Sequence, residues 1–483
     1  MNQINRWRAF TLLAISFFMT VVDLTIVNVA LPTIGRKLYF AESNLQWVVT
    51  AYGIAFGGFL LLGGRAADLL GRRRVLMVGL ATFTGASLAA ALASSDSFLV
   101  AMRGVQGLGA AFVLPAALSM VMNVFPEGAE RNKALGVWGG VGASGAIVGP
   151  IAGGLLTRYA GWEYIFYLNV PIGVALLALI PRAVPESRLD IEERRFDPFG
   201  AATGTGGLAL LVYAISNAPQ VGWSSTRTLS LLAATAALLI AFLVIETRAE
   251  APLMPLRIFA LRTLAGANAV SFLLGASFFG FIFVGTLYMQ QVLGYSALQT
   301  GATWLTASVA SVAFAGLSQA LVTRGSAKLV MAFGMTLIGA GVLWSTVVPV
   351  QGHYWSDLAG PLLITGTGTA FAFIPVSIAA LAGVDESEAG LASGLLNTTQ
   401  QLGGAIGVAI ASTVAASRTT TLLHRGHTGP AALTGGFHAA LLVLGLLGLL
   451  AVPVIYGLVR QREIAQPVAP TPATTVGSQP DAA

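Results

Sequence analysis

The sequence contains no cysteine, which removes disulfides, thiolate metal sites and a cysteine nucleophile from consideration. Charge is scarce as well. Only 10% of the 483 residues are charged, against about 25% in soluble domains, while 55% are hydrophobic. Lysine occurs three times, at Lys37, Lys133 and Lys328, and the four histidines are scattered rather than clustered as metal ligands would be. No Gly-x4-Gly-Lys-Ser/Thr loop is present, so ATP is not the expected energy source. These absences point away from an enzyme, a metal or organic cofactor, and a nucleic-acid partner. The net charge of +6 is read first as a topology signal.

What the sequence has is apolar runs of about 20 residues, the length that crosses a bilayer as a helix. They fall at roughly 8–32, 46–66, 75–94, 97–122, 133–157, 162–181, 200–217, 228–246, 262–288, 298–322, 328–348, 355–381, 390–416 and 435–459. The expected fold is therefore an all-α polytopic membrane protein with fourteen transmembrane helices. The first run is too long for a signal-peptide core and is expected to stay as a membrane helix. Nineteen of the 26 lysines and arginines lie in loops on the side of the N-terminus and six on the other side, with Arg103 alone inside a span. The positive-inside rule then puts both termini in the cytoplasm of a multi-pass cell-membrane protein.

The two ends of the chain echo each other. "GLGAAFVLP" (107–115) pairs with "GTGTAFAFIP" (366–375), and "GRRRVLM" (71–77) with "GSAKLVM" (325–331). An acidic loop running into a Gly-rich helix occurs at 126–136 and again at 385–394. The offset is similar throughout, so helices 1–6 are expected to repeat as 9–14 in the same orientation, a parallel repeat of the transporter type. The expected divisions are an N-terminal six-helix half (1–182), a linker with two inserted helices (183–258), a C-terminal six-helix half (259–460) and a polar, disordered cytoplasmic tail (461–483).

Four stretches carry chemistry. "VVDLTIVNVALP" (21–32) puts Asp23 at membrane depth, where an acid costs roughly 2.5–3.5 kcal/mol on insertion scales and so marks function. Thr25 and Asn28 add hydrogen-bonding groups to that helix, and Pro32 is expected to end or bend it. "LVAMRGVQGLGAA" (99–111) brings Arg103, a permanent cation in need of a partner. Helical rise puts Arg103 about 8 Å and Asp23 about 13 Å from the outer surface, so the two can meet directly or through water. "GGRAADLLGRRRVL" (63–76) sets Gly64, Asp68, Gly71, Arg72 and Arg73 at a helix end; Gly71 suits a turn with φ above zero, and Asp68 can pair with an arginine. "GVWGGVGASGAIVGPIAGG" (136–154) exposes backbone for close packing at Gly136, Gly145, Gly149, Gly153 and Gly154, while Pro150 bends its helix.

Together these stretches resemble the major facilitator superfamily, and within it the fourteen-helix drug:proton antiporter branch (EmrB/QacA-type). In the helix 2–3 loop, Gly64, Asp68, Gly71, Arg72 and Arg73 match the family signature, whereas Ala66 and Leu69 depart from it. In helix 5 every fixed position of the antiporter signature is matched. "GLASGLLNTTQQLGGAIGVAI" (390–410) and "LYMQQVLGYSALQTG" (287–301) are similar to the same branch. The resemblance implies two six-helix halves rocking about a central cavity, Asp23 and Arg103 as the proton-coupling pair, the helix 2–3 loop as a conformational latch, and helix 5 as a seal on the cytoplasmic half of the pathway.

One departure concerns the substrate. Some relatives that export cations carry extra acids in the second half, and here the spans after Asp23 hold acids only at their ends, at Glu163, Glu246 and Asp357. Neutral polar groups stand in their place, so the candidate cavity residues are Thr25, Asn28, Gln106, Tyr288, Gln290, Asn397 and Gln401, facing a small amphiphilic substrate. His438 is expected to be a packed, hydrogen-bonded histidine. The leading reading is a monomeric proton-coupled exporter of lipophilic drugs or antibiotics, bacterial in origin. Its alternatives are a dedicated exporter of one natural product, an exporter of lipid and, remotely, a non-transporting receptor on the same scaffold.

Overall fold

A computed structural model describes residues 3–40, 45, 47–126, 129–187, 197–249, 252, 254, 256–384 and 389–465. Its principal helices are α1 (Gln3–Lys37), α2 (Trp47–Leu70), α3 (Arg72–Ala91), α4 (Asp96–Val124), α5 (Ala129–Tyr159), α6 (Asn169–Ala183, after a helical turn Tyr164–Tyr167) and α7 (Pro198–Val221). They continue with α8 (Thr226–Arg248), α9 (Arg262–Leu287), α10 (Ala297–Arg324), α11 (Ala327–Trp344), α12 (Ala359–Leu381), α13 (Ala389–His424) and α14 (Gly429–Leu458). Among the described residues eleven spans are long and apolar enough to cross a membrane, and α2, bent by 48° between Leu60 and Leu62, adds a twelfth. Of the other two, α7 has a shorter apolar run, Phe199–Ile215, and α5 is the glycine-rich helix.

Polar residues set the helix ends. Ser95, Ser225 and Ser326 each cap a helix by accepting a backbone N–H, and Ser296 with Gln299 forms a reciprocal capping box before α10. Gly71, with φ of 108°, makes the sharp break between α2 and α3 that its residue type predicts. Aromatic side chains exposed at the ends expected to face outward (Tyr39, Tyr159, Tyr164, Trp344 and Trp355) match an interfacial girdle.

The internal repeat reappears as matched close approaches. A Cβ on Gly107 of α4 would strike the Tyr52 carbonyl of α2, and one on Gly366 of α12 would strike the Ala307 carbonyl of α10. Two residues on, Gly109 lies against Phe83 of α3 and Gly368 against Ile338 of α11. Thus α2, α3 and α4 pack as α10, α11 and α12 do, with glycine at the same two contacts and a proline, Pro115 or Pro375, further along the fourth helix. Apolar cores follow the same division. One set gathers around Leu13, Phe83, Leu114 and Phe125 and around Ile26, Val48 and Phe166. The other centres on Met335, Ile338, Phe437 and Leu444.

Two seams join the sets. In one, α5 runs along α10, with Gly136 against Gln319, Pro150 against Gly301 and Gly154 against Leu298. In the other, α2 meets α13, with Gly57 beside Gln401. The inserted α7 lies over this second seam and touches both sides: its Tyr213 ring lies 5.4 Å from that of Trp47, and Trp223, in the loop just after it, donates from Nε1 to Thr413 Oγ1 at 2.7 Å. Behind it, Ala201, Leu208 and Phe242 share an apolar cluster with Leu264, Leu391 and Leu395.

Two expectations are corrected. Of the two outcomes expected of Pro32, the structure excludes an end to α1, whose backbone stays helical to Lys37. The segment expected to be disordered from residue 461 begins instead with a helical turn, Gln461–Ala465. That turn is held by side-chain hydrogen bonds: Glu463 accepts from Thr263 N at 3.1 Å and from its hydroxyl, and Gln461 Oε1 accepts from Ser326 Oγ at 2.9 Å. The rest of the expected tail, and the acidic loop at 385–388, lie outside the described residues.

Candidate functional site

Asp23 sits in the interior of the N-terminal half with no solvent exposure, and Arg103 beside it is equally buried. Arg103 Nη1 donates to Asp23 Oδ2 at 2.5 Å, so the two charges expected at similar depth do meet. The other carboxylate oxygen, Oδ1, accepts from Gln106 Nε2 at 3.1 Å and from Asn169 Nδ2 at 2.8 Å. Every recorded neighbour of the carboxylate is thus a donor, the arrangement an ionised acid requires in a low-dielectric interior.

Arg103 is held on several sides. Its Nε donates to the Val48 carbonyl of α2 at 2.9 Å, and Nη1 also reaches Gln106 Oε1 at 2.9 Å. The Tyr52 ring lies 4.4 Å from the guanidinium carbon and the Phe166 ring 5.8 Å, both within cation–π range. Ser87 Oγ of α3 accepts from Gln106 Nε2 at 2.7 Å while donating to the Phe83 carbonyl at 2.8 Å. One ion pair therefore ties α1, α2, α3, α4 and α6 together.

Gln106, expected at the substrate cavity, belongs instead to this network; it is fully buried one turn from Arg103 and bonded to both charges. Tyr52, Ser87 and Asn169 were not singled out in the sequence. Serine and asparagine in helices routinely bond their own backbone, so neither residue type alone marks a site. The available signal was Pro171. Its ring excludes a helical carbonyl at Tyr167, which fits the interruption there and puts Asn169 at the start of α6.

The remaining cavity candidates are dispersed. Thr25 Oγ1 donates to Val21 O and Val22 O, each at 3.1 Å, at the α1–α5 contact. Asn28 is exposed and donates to its own helix at Leu24 O, 3.2 Å. Asn397 Nδ2 likewise donates to Ser393 O at 2.9 Å, and Gln401 lies at the α2–α13 seam. Gln290 falls in a π-helical turn, Tyr288–Val292, that ends α9. The Tyr288 hydroxyl donates to Pro349 O at 2.5 Å, and its ring lines a mostly apolar cavity inside the C-terminal half with Trp304, Val348 and His438. His438 is hydrogen-bonded there as expected, its Nε2 lying 2.8 Å from Val348 O.

Around the helix 2–3 loop, Asp68 Oδ1 accepts from Arg72 Nε at 3.1 Å and Nη2 at 3.0 Å, with both side chains almost fully buried. Gly64 is buried in the same stretch of α2. Arg73 turns to the segment after α6: its backbone N–H donates to Glu186 Oε1 at 2.9 Å and its Nη1 to Val184 O at 3.1 Å. Glu186 also lies 3.9 Å from Arg74 Nε, and its carboxylate caps the first turn of α3, where the helix dipole favours an anion. Sequence reading missed Glu186 because an acid in a loop carries no spacing that ties it to a helix more than a hundred residues earlier.

The glycines of α5 divide between two partners. Gly145, Gly149 and Gly153 form a stripe against Val21, Thr25 and Ile26 of α1, with room for no side chain at Gly149, where a Cβ would fall on Thr25 Oγ1. Gly136 and Gly154, with Pro150, face α10. The motif is therefore the contact through which the helix carrying Asp23 leans on the helix that joins the two halves.

Comparison with known proteins agrees with this architecture. The Major Facilitator Superfamily model matches residues 13–408. Puromycin resistance protein pur8 of Streptomyces alboniger is 37% identical over 435 residues, covering 89% of this chain and 86% of its own. Cephamycin export protein CmcT of Amycolatopsis lactamdurans is 38% identical over 415 residues, covering 85% of each chain. Tetracenomycin C resistance and export protein of Streptomyces glaucescens is 33% identical over 414 residues, 85% of this chain and 76% of its own. The crystal structure of the human organic anion transporter MFSD10 (TETRAN) superposes with a TM-score of 0.67 at 17% identity, over 93% of this chain and 99% of that one, a likeness of fold. On the match along most of its length and on these relatives, the chain belongs to the major facilitator superfamily.

Proposed function

We propose that the protein is a proton-coupled antiporter that exports an antibiotic-like amphiphile across the bacterial cell membrane by alternating access. It acts as a monomer and not as an enzyme, has fourteen spans with both termini cytoplasmic, and divides into halves at 1–182 and 259–460 with the inserted pair between them. The observation that carries the reading is the fully buried Asp23–Arg103 pair, with its carboxylate also accepting from Gln106 of α4 and Asn169 of α6. Such a pair is costly unless occupied, and protonating Asp23 leaves Arg103 a buried cation without its counter-charge. The protonated form therefore favours a different packing of α1 on α4 and α6, and α5 passes that change to α10 through its two glycine faces. Substrate and proton bias one inward–outward equilibrium in opposite directions. In this scheme Asp68, Arg72 and the Glu186 clamp on Arg73 steady the cytoplasmic end of the N-terminal half during the exchange.

The relatives' names support both ranges: pur8, CmcT and the tetracenomycin C protein each name one antibiotic, whereas the similar Multidrug resistance protein Stp of Mycobacterium tuberculosis names many drugs. The test is uptake of a panel of compounds, puromycin, a cephamycin and ethidium among them, into inverted membrane vesicles under an imposed pH gradient. Accumulation that needs the gradient and is lost in Asp23→Asn supports the reading; gradient-independent accumulation overturns proton coupling. Uptake of one chemical class alone marks a dedicated exporter.

A further inference from the structure

We propose that Asn169 is the positioning residue that lets Asp23 change protonation state while buried, by turning its carboxamide from donor to acceptor. The inference rests on the proton-coupling reading above. In the structure no solvent reaches Asp23, Arg103, Gln106 or Ser87, and Asn169 is 1% exposed. A proton arriving on the carboxylate must therefore find an acceptor among protein groups.

The two oxygens differ in what they face. Oδ2 faces Arg103 Nη1 at 2.5 Å, and a guanidinium accepts no hydrogen bond. Oδ1 faces two primary amides, each with a carbonyl at its other end. Gln106 is fastened at both ends: Oε1 accepts from Arg103 at 2.9 Å, and Nε2 donates to Ser87 Oγ at 2.7 Å as well as to Asp23. Asn169 Nδ2 has its short bond only to Asp23, at 2.8 Å, and lies 3.5 Å from Ser87 Oγ. Ser87 in turn already accepts from Gln106 and donates to Phe83 O. Turning the Asn169 amide over therefore breaks one marginal contact and one bond that protonation abolishes in any case. The χ2 torsion of asparagine is broad and two-fold, so the turn needs no backbone movement.

The step balances simply. The carboxylate gains one proton from the aqueous side that the alternating pathway opens. Oδ1 becomes the hydroxyl oxygen, and its O–H donates to the Asn169 carbonyl. Loss of the proton reverses the turn. Among the described residues the ionisable groups facing this centre are Arg103 of α4 and Tyr52 of α2, whose hydroxyl donates to Thr20 O at 3.4 Å. The residue from α3 is Ser87, the turn before α6 gives Phe166, and α5 presents glycine to α1, so no other recorded side chain competes for the proton.

The test is infrared difference spectroscopy of the purified full-length protein in lipid vesicles, acid minus alkaline, with no ligand added. The acid carbonyl band absent from Asp23→Asn is assigned to Asp23. In Asn169→Leu the band is expected at higher frequency, because its O–H has lost its acceptor. In Asn169→Thr, whose hydroxyl both donates and accepts, the band is expected near its wild-type frequency. Should the Leu variant fail to insert, Asn169→Val replaces it against Asn169→Thr. A Leu or Val variant with unaltered band frequency overturns the role of Asn169. Acid bands that all persist in Asp23→Asn overturn the proton-coupling reading itself.

Discussion

Removing one charge of the buried pair is predicted to cost more than removing both. Asp23 and Arg103 have no exposure, and their contact is a single short charge-assisted bond supported by Gln106, Asn169, Val48 O and the Tyr52 ring. Arg103→Met leaves a carboxylate facing two amides and no cation. Asp23→Leu leaves a guanidinium with one backbone carbonyl and one amide oxygen. Each single change is expected to destabilise the folded protein by about 3–5 kcal/mol, the usual loss on leaving a buried charge unpaired. The double variant, Asp23→Leu with Arg103→Met, puts two apolar side chains of fitting size in the same space and is expected to recover most of that loss. The assay is a double-mutant cycle on detergent-purified protein, following the folded fraction after heating by size-exclusion fluorescence. Losses that simply add would mean that the two charges do not sense each other and would refute the account of the site.

Further outcomes follow from the packing. Gly149→Ala puts a methyl group onto Thr25 Oγ1 and is expected to cost about 1–3 kcal/mol and most of the transport, whereas Gly140→Ala, with nothing within 4 Å, is expected to leave both unchanged in the same vesicle assay. Glu186→Ala removes the cap on the first turn of α3 and the partner of Arg73, and is expected to cost about 1 kcal/mol in thermal unfolding, an effect that weakens as salt rises. Trp223→Phe cuts the bond from the loop after the inserted α7 to Thr413, and is expected to cost about 1 kcal/mol by the same unfolding measurement while leaving gradient-driven uptake in place.

Much of this architecture was legible because a bilayer imposes its rules on sequence directly. Span length gave the helices, scarcity of charge made Asp23 and Arg103 conspicuous, and helical rise alone put them at matching depths. Gly71 had to be a turn because a helix broke there. The glycine pairs Gly107/Gly109 and Gly366/Gly368 betrayed the repeat because close backbone approach leaves no other choice of residue. What stayed hidden depended on the third dimension. Asn169, Ser87 and Tyr52 are ordinary residues in apolar helices until α6, α3 and α2 bring them around one carboxylate. Gln106 was noticed, but its face was misassigned, since one turn of helix decides between a cavity and a buried network. The position of α7 across the α2–α13 seam was likewise invisible, because hydropathy says that a helix meets lipid but not which neighbours it covers.

The central claim is that substrate and proton exchange at Asp23. It is tested most directly by proton release from purified protein in weakly buffered solution, on addition of whichever panel compound the vesicles accumulate. The account predicts release on binding in the wild type and none in Asp23→Asn at saturating compound. Equal release from both proteins, or binding to the wild type with no release at any pH, would contradict it.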